Sequence, residues 1–276
     1  MERIGIVTDS TADIPEALAE QYHIQVVPNI LVIDGQSVED GKGISREEFY
    51  SRLPKMKTFP TTATASSGTY QQVYQRLFQE GVNHILSIHA ASLLSGIFNA
   101  ASLAAQAFGE RVHVIDSKHI TLGLGFQVLA AAEAALQQPL EDILALIEDV
   151  RRRVRVIAML DTVEYMRRSG RVSWARARLG ELLQIKPMVE VRSGHVLSLG
   201  EVRTHRKGVE RLLNLLRNLG SLERLAILHT NAEGEARSFL ERLSPELSIP
   251  PFFVNVTTII GAHVGPNGLG FAAVVR

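Results

Sequence analysis

Asn83-His84-Ile85-Leu86-Ser87-Ile88-His89-Ala90-Ala91-Ser92-Leu93-Leu94-Ser95-Gly96 is the stretch on which the fold turns. Residues 83–89 have the length and apolar content of a buried strand. Residues 90–96 form a polar loop that opens a small-residue helix over 97–108. The next strand, 112–115, ends in Asp116-Ser117 and leads into an Ala/Leu helix over 119–137. The chain start has the same grammar. An apolar run over 3–7 ends in Thr8-Asp9-Ser10-Thr11-Ala12-Asp13-Ile14-Pro15, which reads as a strand, a polar turn and a helix capped by Asp13 or Thr11. Residues 24–33 read as one strand turned back by Asp34-Gly35. Ser45 with Glu48 spells a capping box. Strands alternating with helices predict right-handed βαβ units: an α/β fold with a parallel sheet covered on both faces. Ligands of such sheets sit at the polar loops after the strands, here Thr8-Asp9-Ser10, 92–96 and Asp116-Ser117.

A helix over 139–153 ends in Arg151-Arg152-Arg153, and the texture then changes. A strand over 154–159 is followed by helices over 162–168 and from Ser173. Val189-Glu190-Val191-Arg192 and Val196-Leu197-Ser198-Leu199 flank Ser193-Gly194-His195 as a β-hairpin. Helix 204–219, strand 224–229, helix 232–243 and strands 252–256 and 269–275 complete the chain. An antiparallel pair in this setting predicts a second, α+β domain. The expected domains are 1–153 and 154–276.

A second polar stretch, Thr58-Phe59-Pro60-Thr61-Thr62-Ala63-Thr64-Ala65-Ser66-Ser67-Gly68-Thr69, has no apolar period and reads as a loop. Five threonines and two serines fall in its twelve residues, just before a helix over 67–80. Such a loop can be an N-cap alone, through Ser66 or Ser67. It can equally offer hydroxyls and helix amides to a carboxylate or phosphate. Ser95-Gly96 and 261–268 share its character. In the latter, Gly265 and Gly268 permit close backbone approach to a ligand, and His263 stands between glycines.

Composition excludes several chemistries. The chain has 276 residues, 46% hydrophobic and 21% charged, with Lys+Arg and Asp+Glu equal at 29 each. That balance gives no global attraction to nucleic acid. With no cysteine there is no disulfide, thiol nucleophile or thiolate metal site. His84/His89 and His113/His119 lack i, i+4 ligand spacing, so no metal is expected. G-x-S-x-G and the phosphate-binding P-loop are absent, and Val128 stands where the third glycine of a dinucleotide fingerprint would follow Gly123 and Gly125. Asp9, Asp116 and Asp161 close strands and serve as bases or as turn-formers. No cofactor is expected. No signal peptide or 18-residue apolar span is visible, which makes the cytoplasm the default.

The ordered set Ile6 to Pro15, Val27-Pro28 with Asp34-Gly35, Thr61 to Ser66, Ser95-Gly96, Val114-Ile115-Asp116-Ser117, Glu164 to Arg171, Lys186-Pro187 and Gly261 to Gly268 resembles the DegV family over essentially the whole chain. The resemblance implies a two-domain lipid-binding protein rather than an enzyme, with a long-chain fatty acid between the domains. It implies presentation of the acyl carboxylate to a separate ATP-dependent kinase that makes acyl phosphate, and transient membrane contact. By position, Thr62 and Ser95, with Thr61 and Gly96, look like the carboxylate-binding residues, joined by His263 from the second domain. Arg171 and Arg203 look like basic positions facing kinase or phosphate. Two departures trim polarity: Ala63 where the family often has serine, and Ile97 where it often has threonine. The alternative reading is an enzyme acting on a small carboxylated or phosphorylated metabolite, with Asp9 or His263 as its acid–base group.

Overall fold

The computed structural model describes residues 2–176 and 185–276. Its first part holds β1 (Ile4–Asp9), α1 (Glu16–Gln21), β2 (Gln25–Val27), β3 (Ile30–Ile33), β4 (Gln36–Glu39), α2 (Arg46–Arg52), β5 (Thr61–Ala63), α3 (Ser67–Gln79), β6 (His84–His89), α4 (Ile97–Ala105), β7 (Val112–Asp116), α5 (Leu122–Ala134) and α6 (Leu140–Arg153). A parallel sheet runs in the order β2-β1-β6-β7, as alternating strands and helices require. Ser66 caps α3 by accepting from the Thr69 amide, and Ser45 caps α2 by accepting from the Glu48 amide.

The second part holds β8 (Val154–Met159), α7 (Glu164–Ser169), α8 (Ser173–Arg176), β9 (Lys186–Arg192), β10 (His195–Val202), α9 (His205–Arg217), β11 (Leu222–His229), α10 (Glu233–Leu243), β12 (Phe252–Asn255), α11 (Thr258–Val264) and β13 (Leu269–Val275). The continuation of the helix expected from Ser173 lies outside the described residues. Six strands form a mixed sheet in the order β10-β9-β8-β13-β11-β12, with β11 and β12 parallel and the other pairs antiparallel. The β9–β10 hairpin turns through Ser193 and Gly194, both at positive φ (50° and 82°), the two-residue turn that matches strand twist.

Strand alternation gives this sheet two different faces. Ile157, Met159, Leu225, Ile227 and Phe271 pack under the apolar stripes of α9 and α10, including Leu212, Leu213 and Phe239. Val156, Ala158, Val189, Val191 and Leu228 point the other way, toward the first sheet. Helix α5 lies between, touching β1 and β6 on one side and β8 and β13 on the other. That position explains its composition: every residue from Leu122 to Ala134 except Glu133 is buried, and Glu133 pairs with Arg224 of β11.

Four local expectations are corrected. Residues 24–33 form two strands, because Pro28 has no amide to give a ladder. β2 joins the parallel sheet, while β3 leaves it to form a small antiparallel sheet, β4-β3-β5. The hydroxyl stretch is not loop throughout, since Thr61–Ala63 is β5. Residues 261–264 are the end of a helix, closed by Gly265 at φ 80°, where a Cβ would lie 2.3 Å from the Tyr165 ring. Finally, α1 has Pro15 at its N-cap without a side-chain bond. Asp13 instead accepts from the Thr257 amide (2.9 Å) and the Thr121 hydroxyl (2.8 Å), and pairs with Arg46 at 3.0 Å.

That last group ties the two parts together. Arg46 also donates to the Asn255 carbonyl, and Tyr50 to the Val256 carbonyl at 2.9 Å. Asp40 accepts from the hydroxyls of Thr257 and Thr258. The start of α11 is therefore clamped by residues more than 200 positions earlier in the chain.

Candidate functional site

A cavity of about 700 Å³ opens between the two sheets. Its wall is the inward face of the six-stranded sheet, with Val156 and Ala158 of β8, Val189 and Val191 of β9, and Leu228 of β11. Register places Ala158 opposite Val189 on one side and Gly270 on the other, so the middle of that wall is low. The opposite side is made by loop 90–96, by β5 with Thr64, and by Ile120 and Thr121 before α5.

One polar end is built from both parts of the chain. Pairing with Leu31 places Thr62 on β5. The Thr62 Oγ1 lies 2.9 Å from the His263 Nε2, offered from the last turn of α11. Ser95 and Gly96 reach the same cavity from the start of α4, where the Ser95 Oγ also accepts from the Ile97 amide at 3.3 Å. Arg171 lines it too and is exposed.

Burial, reinforced by the Arg171 guanidinium, pushes His263 down to about 4, so its ring is neutral at pH 7. A neutral ring has one N–H and one lone pair. When Nε2 carries the hydrogen and donates to Thr62, the threonine's own proton is left free for an anion. The His263 Nδ1 is buried without a partner.

The remaining site expectations separate. Thr61 precedes Thr62 on β5, so its side chain takes the other face of the strand; it is exposed and does not line the cavity. Arg203 is exposed just beyond the end of β10, also off the cavity. Sequence reasoning missed Thr11, Asn29 and Thr121, which line the cavity although they are buried. The signal for Asn29 was its place after Val27-Pro28, where a strand had to break.

Asp9 is not a free base. It accepts from the Thr11 and Ala90 amides and from Asn29, and its Oδ2 lies 3.0 Å from the His89 Nδ1. The chain continues through Ser87 to Tyr74 at 2.7 Å per step. The order Asp–His–Ser is that of a nucleophilic triad, yet Asp9, His89 and Ser87 are fully buried and none lines the cavity. It binds the ends of β1 and β6 together. Asp116 accepts from the Ser92 hydroxyl (2.6 Å) and the Lys118 amide (2.8 Å), a turn role, and Asp161 pairs with Lys186. Among the described residues no cluster of His, Asp or Glu could hold a metal ion.

A family model described as an uncharacterised protein of the DegV family matches residues 3–276. The chain belongs to the DegV family. It is 34% identical over 276 residues to a DegV domain-containing protein of Caldanaerobacter subterraneus, covering 98% of each. It is 32% identical to the protein DegV of Bacillus subtilis, covering 97% of each. Among solved structures, a DegV family protein from Thermus thermophilus, described by its fatty acid binding, superposes with a TM-score of 0.91 at 32% identity over 99% of this chain and 100% of that one. DegV of Bacillus subtilis, described as a fatty acid binding protein, gives 0.88 at 30% identity over the whole of both chains. The α/β architecture with its second sheet is thus the DegV fold.

Proposed function

We propose that this chain binds a long-chain fatty acid in the cavity, with the carboxylate at Thr62, Ser95, Gly96 and His263. The observation that carries the reading is a cavity that sets the Thr62–His263 contact beside the apolar face of the six-stranded sheet. A carboxylate leaving water must keep charge-assisted hydrogen bonds or lose several kcal/mol. Hydroxyls, the amides opening α4 and the imidazole supply them. Each tail methylene buried contributes roughly 0.8 kcal/mol. The fatty-acid-binding relatives support the same ligand. The finer part of the proposal is that the protein performs no chemistry on the acid. It presents the carboxylate to a separate kinase, with exposed Arg171 facing the incoming phosphate and Arg203 the kinase surface, and it works from lobes 1–153 and 154–276.

Lipid extraction of purified protein followed by mass spectrometry tests the reading. One equivalent of a long-chain acid is expected. A protein that carries and takes up no acyl chain, but turns over a small polar carboxylate or phosphate, would establish the enzymatic alternative instead.

A further inference from the structure

No Asp, Glu, Lys or Arg occurs from Thr58 to Gln75, nor again from Ala90 to Gly109, in a chain that is 21% charged. The fold brings these two runs together. The first supplies β5 and most of α3, the second supplies loop 90–96 and α4, and α3 packs against α4. They also meet at the cavity, where a Cβ on Gly96 would lie 3.7 Å from the Thr64 Cγ2. Burial does not explain the missing charge. Gln71, Gln72 and Gln75 of α3 and Asn99, Leu103 and Gln106 of α4 are exposed, where a surface helix ordinarily carries charged residues. Leu103 is 58% exposed. Among the described residues, those that line the cavity and are also exposed are Ala63, Leu93, Gly96, Asn99 and Arg171. All but Arg171 belong to the two runs, so the cavity opens on this charge-free face.

We infer that the α3–α4 face docks the kinase that receives the carboxylate, and that this partner meets it with an uncharged surface. The inference rests on the kinase reading above and deepens it by placing the partner. Charge selects the occupant. An uncharged partner face loses no ion hydration against this one, and depletion of charged residues is what marks the centre of protein interfaces. The exposed side-chain amides can hydrogen-bond across the contact. An anionic lipid surface or a nucleic acid is held by Lys and Arg, which the face lacks. Size selects a transient partner over a second copy of the chain. The 13-residue α3 and 9-residue α4 are about 20 and 14 Å long, side by side at a spacing of about 10 Å. A patch on the order of 400 Å² suits a transient encounter and falls short of the ~1,000 Å² a side of an obligate dimer. A partner seated there stands over the mouth, with Arg171 beside it.

The test puts charge of either sign on the face, at Gln72 and Leu103, neither of which lines the cavity. Gln72→Glu with Leu103→Glu is one double variant, and Gln72→Lys with Leu103→Lys is the other. Displacement of a fluorescent acyl probe by octadecanoic acid reads ligand binding. Acyl phosphate formation by the purified ATP-dependent fatty acid kinase of the same organism reads docking. Both doubles should bind octadecanoic acid within about twofold of wild type, yet raise the KM of the loaded protein for the kinase about tenfold or more, because each buries an unpaired charge. Glu241→Lys, on the exposed side of α10, should change neither. Single changes at Gln72 carry the test if a double folds poorly. An unmoved KM in both signs refutes the surface and leaves the kinase reading standing. So does a KM that rises with one sign and falls with the other, which would mean a charged partner. Wild-type binding to phosphatidylglycerol vesicles lost in the Glu double, or a wild-type dimer made monomeric by both, would give the face to a membrane or a second copy and overturn the inference. If loaded wild type yields no acyl phosphate, the kinase reading falls and the inference with it.

Discussion

Thr62 and His263 meet at 2.9 Å although 201 residues separate them in the chain. Under the fatty-acid proposal, neither strand β5 nor helix α11 makes the head-group site alone. The contact joins the small antiparallel sheet of the first part to a helix of the second, at the polar end of the cavity between them. Removing the Thr62 hydroxyl should therefore cost affinity without much cost in folding. Thr62→Ala and Ser95→Ala are each expected to weaken fatty-acid binding by roughly 1–3 kcal/mol, the cost of a lost bond to a buried charge. Thr62→Ala should leave the melting temperature nearly unchanged. Ser95→Ala should lower it slightly, because its Oγ also serves the Ile97 amide. Titration calorimetry with both variants at wild-type affinity would remove the head group from this end.

His263 makes binding and stability depend on pH in opposite senses. Unfolded, the imidazole takes its proton near 6.5; folded and ligand-free, burial delays it to about 4. Between those values the unfolded chain holds more protons, so His263 lowers the ligand-free protein's stability as pH falls from 6.5 to 4. His119, also held down to about 4 by burial, acts in the same direction. Asp13, raised to about 6 by burial, acts oppositely below pH 6. The difference between wild type and His263→Gln isolates the one group. A bound carboxylate reverses the pressure by favouring imidazolium, so binding should take up a proton and tighten as pH drops from 7 toward 5. Proton uptake measured by calorimetry in buffers of different ionisation enthalpy should be present in wild type and lost in His263→Gln.

Under the fatty-acid proposal, the low point of the cavity wall sets the room for the tail. Ala158 faces the cavity between Val189 and Gly270 in adjacent strands. Ala158→Leu should fill that space and displace several methylenes at about 0.8 kcal/mol each. The preferred acid should become shorter, with long-chain affinity falling tenfold or more and folding stability held or raised. Binding measured over acids of increasing length reads this directly; an unmoved optimum would put the tail elsewhere.

The general plan was legible in sequence because it rests on periodicity. The run 83–89, its loop and the small-residue helix after it could hardly form anything but a βα unit, and the Ala/Leu composition of α5 already marked a helix. The hairpin at Ser193-Gly194 was equally local, since the turn chemistry sits in two residues. What was not legible depends on contacts distant in sequence. β5 is a three-residue strand that exists because β3 pairs with it. α11 is held by Asp13, Asp40, Arg46 and Tyr50, none of which lies near it in sequence. Asn29 looked like a strand residue, and only the position of Asp9 shows which way its amide points.

Arg171 is exposed at the cavity, close enough to His263 to depress its protonation. Under the kinase proposal its charge serves the incoming phosphate rather than the resting acid. Arg171→Ala should leave fatty-acid affinity within about fivefold, a surface charge being worth ~1 kcal/mol or less. It should slow acyl phosphate formation by a cognate kinase much more. Equal losses in both assays would mean the guanidinium belongs to the resting head-group site.

The register of α11 on Tyr50 is the most exacting part of the site. A Cβ on Gly261 would lie 2.4 Å from the Tyr50 hydroxyl and 2.6 Å from its ring carbons. Tyr50 is 1% exposed and donates to the Val256 carbonyl, so it has no space to retreat into. Gly261→Ala must therefore move α11, at a cost of about 1–3 kcal/mol for overpacking. His263 is two residues further along the same helix and moves with it, breaking the contact to Thr62. The expected result is a lowered melting temperature together with a loss of fatty-acid affinity at least as large as that of Thr62→Ala. Adding Tyr50→Leu opens the space and should restore affinity more than stability, since the bond to Val256 stays lost. Wild-type affinity in Gly261→Ala would show that the head group does not depend on where α11 holds His263.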